Sequence, residues 1–220
     1  MGDASHDLDA RIKISIGTGR QSDADGMFFS PQGLAFDHHR GLLLVVDTEN
    51  HRVQVLSCDD GGSFVSKLGE EGDQPGQFFC PRGIAIDHDH DRIHITDTGN
   101  SRIQSWCLSD QSFLSCIGQY GSGDLEFQYP RGIAIDKHHH RIIIADTHNH
   151  RLVFLSSIDL SFLFSVGGKR GSRPGEFSFP TGIAIDDDRH RIIVVDTSNH
   201  RVQVLSLIDG SFLFEFGSEG

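Results

Sequence analysis

The sequence predicts an all-β protein: a β-propeller of four four-stranded antiparallel blades of about 50 residues each, preceded by one extra N-terminal strand. Three observations predict it. A Pro-x-Gly motif recurs at Pro31, Pro81, Pro130 and Pro180, spaced 50, 49 and 50 residues apart. An aspartate follows each proline at the same offset of 16, at Asp47, Asp97, Asp146 and Asp196, and opens an Asp-Thr-x-Asn-His/Ser-Arg motif. Each repeat then closes on an alternating apolar strand that ends in glycine. The repeats fall at about 28–77, 78–126, 127–176 and 177–220, behind an N-terminal tail over residues 1–10.

Residues 11–17 (Arg-Ile-Lys-Ile-Ser-Ile-Gly) align with the outer strands expected at 63–69, 112–118, 161–167 and 211–217, so the chain is expected to open on a fourth strand as well as end on one. The blade is plainest in the fourth repeat. Residues 182–186 form a short first strand, and 187–190 a polar turn. Residues 191–196 form the second strand, whose run Ile192-Ile193-Val194-Val195 is apolar on both faces, as a central strand between packed sheets requires. The turn at 197–200 leads into a third strand at 201–205, and the Asp209-Gly210 dipeptide precedes the alternating fourth strand at 212–216.

Composition narrows the function classes. A net charge of -12 opposes phosphate backbones and anionic lipid, so nucleic acid is disfavoured and no membrane association is expected. Cys58, Cys80, Cys107 and Cys116 occupy unshared repeat positions and form no Cys-x-x-Cys pair, which indicates neither a disulfide framework nor a zinc ribbon. A reducing, cytoplasmic setting fits best. The N-terminus lacks the apolar core of a signal peptide, and no apolar run reaches membrane-spanning length.

With Asn50-His51, Asn149-His150 and Asn199-His200 added to the Pro-x-Gly and aspartate motifs, residues from about 11 to 217 resemble the NHL-repeat family of β-propellers, named for an Asn-His-Leu triplet. Arg52, Arg151 and Arg201 stand where the triplet has leucine, and the second repeat reads Asn100-Ser101-Arg102. Propellers similar to this family usually have six blades, which would take roughly 100 more residues at this period. The surplus N-terminal strand leaves open a self-closed four-blade ring, a longer propeller, or self-association through open blade edges.

Of fourteen histidines, eight crowd the first turns of the blades: His38 and His39, His88 and His90, His138 to His140, and His190. Successive turns are expected to splay apart around the ring, so a shared metal site is not expected, and no metal or other cofactor is assigned. The turn Asp87-His88-Asp89-His90-Asp91 offers weak zinc or copper ligation within one blade, against a solvated turn. Each strand-two aspartate is expected to pair structurally with the arginine five residues on: Asp47 with Arg52, Asp97 with Arg102, Asp146 with Arg151, Asp196 with Arg201. Asn50, Asn100, Asn149 and Asn199 are expected to take the left-handed turn conformation. In the second repeat His94 and Ser105 replace apolar partners and, counted outward from Asp97 and Arg102, fall opposite each other as a buried polar pair.

Variable positions concentrate on one rim: Gln32, Arg82, Arg131 and Thr181 after the prolines, and Glu49, Gly99, His148 and Ser198 two residues past the aspartates. A constant frame with a variable rim is how rigid scaffolds acquire binding sites. Arg82 and Arg131 come from adjacent blades, and either grip a carboxylate or phosphate or pair with acidic residues of neighbouring loops. No catalytic constellation is specific to one repeat, so the expected function is a non-enzymatic binding or scaffold module for a protein or peptide. Similarity to the family implies two alternatives, a metal-dependent lyase or hydrolase with a central-channel site and a single-stranded RNA binder.

Overall fold

The computed structural model describes residues 22–217, and each period within it folds into one four-stranded antiparallel sheet with strands in sequence order. Blade 1 comprises Pro31–Asp37, Leu42–Asp47, Arg52–Ser57 and Ser63–Leu68, and blade 2 Ile84–Asp87, Arg92–Asp97, Arg102–Cys107 and Phe113–Ile117. Blade 3 comprises Pro130–Asp136, Arg141–Asp146, Arg151–Ser156 and Phe162–Gly167, and blade 4 Pro180–Asp186, Arg191–Asp196, Arg201–Ser206 and Phe212–Phe216. The strand expected over residues 11–17 lies outside the described residues. No helix among them is long and apolar enough to cross a membrane.

Three apolar layers hold the blades together. Leu44, Val46, Val53 and Val55 of blade 1 pack against Ile84, Ile93, Ile95 and Trp106 of blade 2, and the same pairing of faces recurs between blades 2 and 3 and between blades 3 and 4. In blades 2 and 3 strand two is buried on both faces because it lies between two such layers, whereas blades 1 and 4 have a layer on one face only. Fully buried Phe78, Phe127 and Phe177 stand in the loops that carry the chain from one blade to the next. Each seats where the preceding fourth strand ends in a positive-φ glycine, Gly69, Gly118 or Gly167, whose absent side chain leaves room for the ring.

A polar clamp fixes those same loops. Asp47, Asp97, Asp146 and Asp196 are fully buried, and each accepts the arginine Nε five residues on at 2.7–2.9 Å. The guanidinium then donates to carbonyls of the incoming loop: Arg102 to Asp73, Gln74 and Gln77, Arg151 to Ser122, Gly123 and Glu126, Arg201 to Ser172, Arg173 and Glu176. The second carboxylate oxygen accepts a backbone N–H from Phe29, Phe79, Gln128 or Ser178, two residues ahead of each proline.

The asparagines depart from the expectation. Asn50, Asn100, Asn149 and Asn199 lie inside short 3-10 turns, and the left-handed residue is the next one, His51, Ser101, His150 or His200, with φ of 52–54°. Each asparagine is committed elsewhere: its amide donates both to the clamp aspartate and to a loop carbonyl, that of Ser22, Gly72, Gly121 or Gly171.

The two ends of the array do not pack on each other as neighbouring blades do. Leu34 and Phe36 on blade 1 are 64% and 51% exposed, whereas Ile84 and Ile133, which match Leu34, are 6% and 7%. On blade 4, Val195 is 42% exposed where its equivalents Val46 and Ala145 are sealed. A Cβ on Gly33, Gly83 or Gly132 would collide with the backbone carbonyl of the next blade's inner strand, and one on Gly182 meets only Val195 of its own blade. Arg92 and Arg141 reach carbonyls on the following blade, whereas Arg191 lies over Phe214 of its own. Among the described residues the four blades therefore form an array with uncovered ends, not the self-closed ring that the sequence left open.

Truncating a clamp arginine strands a buried carboxylate, a loss of about 3 kcal/mol or more. Arg151→Ala is expected to lower the unfolding free energy by that much, read from urea titration. Arg189→Ala, which removes an exposed pair with Asp186, should shift it by less than about 1 kcal/mol.

Candidate functional site

The clamp places the start of each inner strand beside the end of strand two, with Pro31, Pro130 and Pro180 registered opposite Asp47, Asp146 and Asp196. Residues just past the prolines therefore ring the channel. Gln32, Arg82, Arg131 and Thr181 line one cavity of about 520 Å³ at the channel mouth, together with the glycines that follow them. The other four rim residues sit one tier out. Glu49, Gly99, His148 and Ser198 each donate a backbone N–H to the carbonyl two residues before a proline, at Phe29, Phe79, Gln128 and Ser178.

Arg82 and Arg131 form no ion pair among the described residues, although the chain is strongly acidic. The alternative that neighbouring carboxylates neutralise them is not what the structure forms. Arg131 Nε is buried without a hydrogen-bond partner, and burial, then the Arg82 charge alongside, holds the Arg131 guanidinium below its ordinary value. Thr96 fixes this loop: its hydroxyl accepts the Gly83 N–H at 2.7 Å and donates to the Arg131 carbonyl at 2.7 Å, while Thr98 donates to the Pro130 carbonyl at 2.6 Å. Thr96 carries a detectable signal, because its equivalents are Val46, Ala145 and Val195.

Aromatic residues on the rim were not anticipated from the sequence. Phe79 stacks on His51 with ring centroids 5.2 Å apart, and Tyr129 lies 4.7 Å from His148, both aromatics remaining half-exposed. Cys80, Tyr129 and Phe179, directly before the prolines, all adopt positive φ. The Nδ1 atoms of His51 and His150 accept backbone N–H groups from Cys80 and Phe179 on the next blade. His148 titrates below its ordinary value through burial first and then the Arg131 charge.

His94 and Ser105 lie directly opposite in the blade 2 ladder, with Nδ1 and Oγ 2.9 Å apart and neither side chain reaching solvent. His94 Nε2 has no partner, and desolvation pushes the imidazole down to about 4. The opposite rim overturns one expectation. The first turns of neighbouring blades do not splay apart: His38 and His39 of blade 1 stand with ring centroids 4.9 Å from His88 of blade 2, and His138 of blade 3 approaches His190 of blade 4 at 6.0 Å. These turns close the innermost strands, where the radius of the array is smallest, so divergence of the outer strands does not separate them. The four cysteines are all unpaired thiols.

A family model for the NHL repeat matches residues 127–153 and 177–205, and one described as a 6-bladed beta-propeller matches residues 35–118. The fold defines the class, a four-stranded-blade β-propeller, and its third and fourth blades carry the stretches that match the NHL repeat. No curated protein matches it. Among solved structures, Kuenenia stuttgartiensis Hydrazine Synthase is similar over 91% of this chain and 51% of that one, with a TM-score of 0.66 and 12% identity. The chain thus spans about half the length of that solved chain, and the likeness is one of fold.

Between pH 6.5 and about 4 the unfolded chain binds a proton that folded His94 refuses, so stability falls as pH drops through that window and levels below it. Replacing the pair as His94→Ile with Ser105→Val restores the apolar partners of the other blades. The double variant is expected to lose less stability than wild type on acidification from pH 7 to 4, by about 3 kcal/mol, read from urea midpoints at each pH.

Proposed function

We propose that this propeller is a non-enzymatic binding or scaffold module that recognises a carboxylate-bearing protein or peptide segment at the channel mouth. The observation that carries this reading is the pair Arg82 and Arg131, held on adjacent blades without an ion-pair partner among the described residues and facing a common cavity. A guanidinium fork matches a carboxylate with two parallel hydrogen bonds. Arginine beside half-exposed Phe79 and Tyr129 is also the composition of energetically dominant protein contacts. A central-channel lyase or hydrolase site has little support, because none of the residues lining this mouth is His, Cys or a carboxylate. The exposed aromatics favour single-stranded RNA as a second reading, which the net charge of -12 opposes. Four free thiols fit a reducing compartment such as the cytoplasm.

Arrays of peptides bearing Asp, Glu or a free C-terminus, compared with their Asn, Gln and amidated counterparts, test the proposal. Carboxylate members are expected to bind, and Arg131→Ala to weaken them by about tenfold or more, since a hydrogen bond to a charged group contributes roughly 1.5–3 kcal/mol. If Arg82→Glu with Arg131→Glu leaves the binding profile intact, this rim is not the site. Capture of RNA pools that weakens steeply with salt would transfer the assignment to nucleic acid.

The uncovered ends supply a second surface. Inside the chain, the far face of each blade always meets the near face of the next, and the free ends present one face of each kind, so a second copy offers the matching surface. Light scattering is expected to give a mass above 24.3 kDa that falls to the monomer in Leu34→Glu with Phe36→Glu. A wild-type monomer at high concentration would end this idea.

A further inference from the structure

At the rim opposite Arg82 and Arg131, we infer that His38, His39 and His88 form a binding site for a divalent first-row transition ion, of the zinc, copper or nickel class. One ligand nitrogen from each of the three imidazoles lies within 4.8 Å of the others, and the ring centroids are 4.1, 4.9 and 4.9 Å apart. Three neutral imidazoles without a thiolate suit these ions, and binding at about 2.0–2.1 Å per nitrogen needs only side-chain rotation from this starting arrangement. His38 and His39 are exposed and His88 half-buried, so an ion has a direct path in and a remaining coordination position faces water.

The placement follows from the repeat. His38 and His88 are the residues directly after the strand-one aspartates, Asp37 and Asp87, and their equivalents on blades 3 and 4 are Lys137 and Asp187. Those two also meet across the blade boundary, as an ion pair at 3.2 Å. The architecture thus brings this position of one blade against the same position of the next, and the sequence fills it with a charge pair at one boundary and with imidazoles at another. His39 supplies the third nitrogen, its backbone N–H held by the Asp37 carboxylate at 3.0 Å. Arg40, the nearest cation in the turn, is neutralised by Asp37 at 2.9 Å and faces Asp91 at 3.6 Å. Other histidines on this rim meet in pairs, His90 with His140 and His138 with His190, without a third imidazole.

Tag-free protein is titrated with Zn2+ by calorimetry and with Co2+ by visible absorption. One equivalent is expected to bind, with Co2+ bands of nitrogen ligation. Loss of outer-shell partners alone weakens metal sites about 10- to 100-fold, so His88→Ala and His38→Ala are each expected to weaken binding by at least about tenfold. Both positions lie on an exposed turn, and an unchanged far-UV spectrum and urea midpoint would separate loss of ligation from loss of fold. The triple replacement His138→Ala, His139→Ala, His140→Ala should leave affinity unchanged. The inference is overturned if wild type takes up neither ion, if His88→Ala binds as wild type does, or if the triple replacement weakens binding as much as His88→Ala.

Discussion

A buried aspartate carboxylate at the end of each second strand is the interaction on which the rest of the propeller depends. Its two oxygens collect an arginine, an asparagine, a backbone N–H and, on three blades, a glutamine from Gln54, Gln104 or Gln203. An uncompensated carboxylate in such a place is costly, and this one is fully compensated. The partners come from three separate stretches of chain: the turn after strand two, strand three, and the loop arriving from the preceding blade. One group therefore sets the hairpin, holds the incoming loop and fixes where the next inner strand begins. The rim inherits its geometry from that anchor.

Much of this frame was legible in the sequence, because the spacing between Asp146 and Arg151 and its three counterparts dictates a cross-hairpin pair once strands two and three are placed. The pairing of His94 with Ser105 followed from counting along the same ladder. What stayed hidden depends on contacts between distant periods. The left-handed residue is His51, not Asn50, because the asparagine amide is engaged by a carbonyl 28 residues earlier, which no local propensity encodes. Phe78, Phe127 and Phe177, to which the sequence assigned no role, are buried in the loops that the clamp pins inward. The convergence of His38, His39 and His88 depends on the small radius of the inner turns, a property of the assembled array and of no single blade.

Blade 2 is where structural and functional demands meet. Thr96 takes a polar hydroxyl into a position that is apolar elsewhere, and that hydroxyl holds the carbonyl of Arg131 on the next blade. The first strand of this blade begins at Ile84 where the others begin at the proline, and just ahead of it the Gly83 N–H donates to the threonine hydroxyl. His94 and Ser105 sit in the same sheet and satisfy each other only in part, leaving Nε2 without a partner. The blade that departs most from the repeat thus positions Arg131, whose buried Nε has no hydrogen-bond partner. Rigid surroundings with a few locally frustrated groups are the usual setting of binding sites.

The clamp has a further consequence for how such a chain can change over generations. Its arginine-to-carbonyl bonds join residues 25, 28 and 29 apart on blades 2, 3 and 4 alike, so the clamp contacts of a blade lie at fixed offsets. An in-frame duplication or deletion of one whole period would recreate the same contacts at its new junction. Insertions of any other length would break several together. Growth by complete units is therefore nearly free of local redesign, and blade number becomes a property that recombination adjusts more readily than point mutation does.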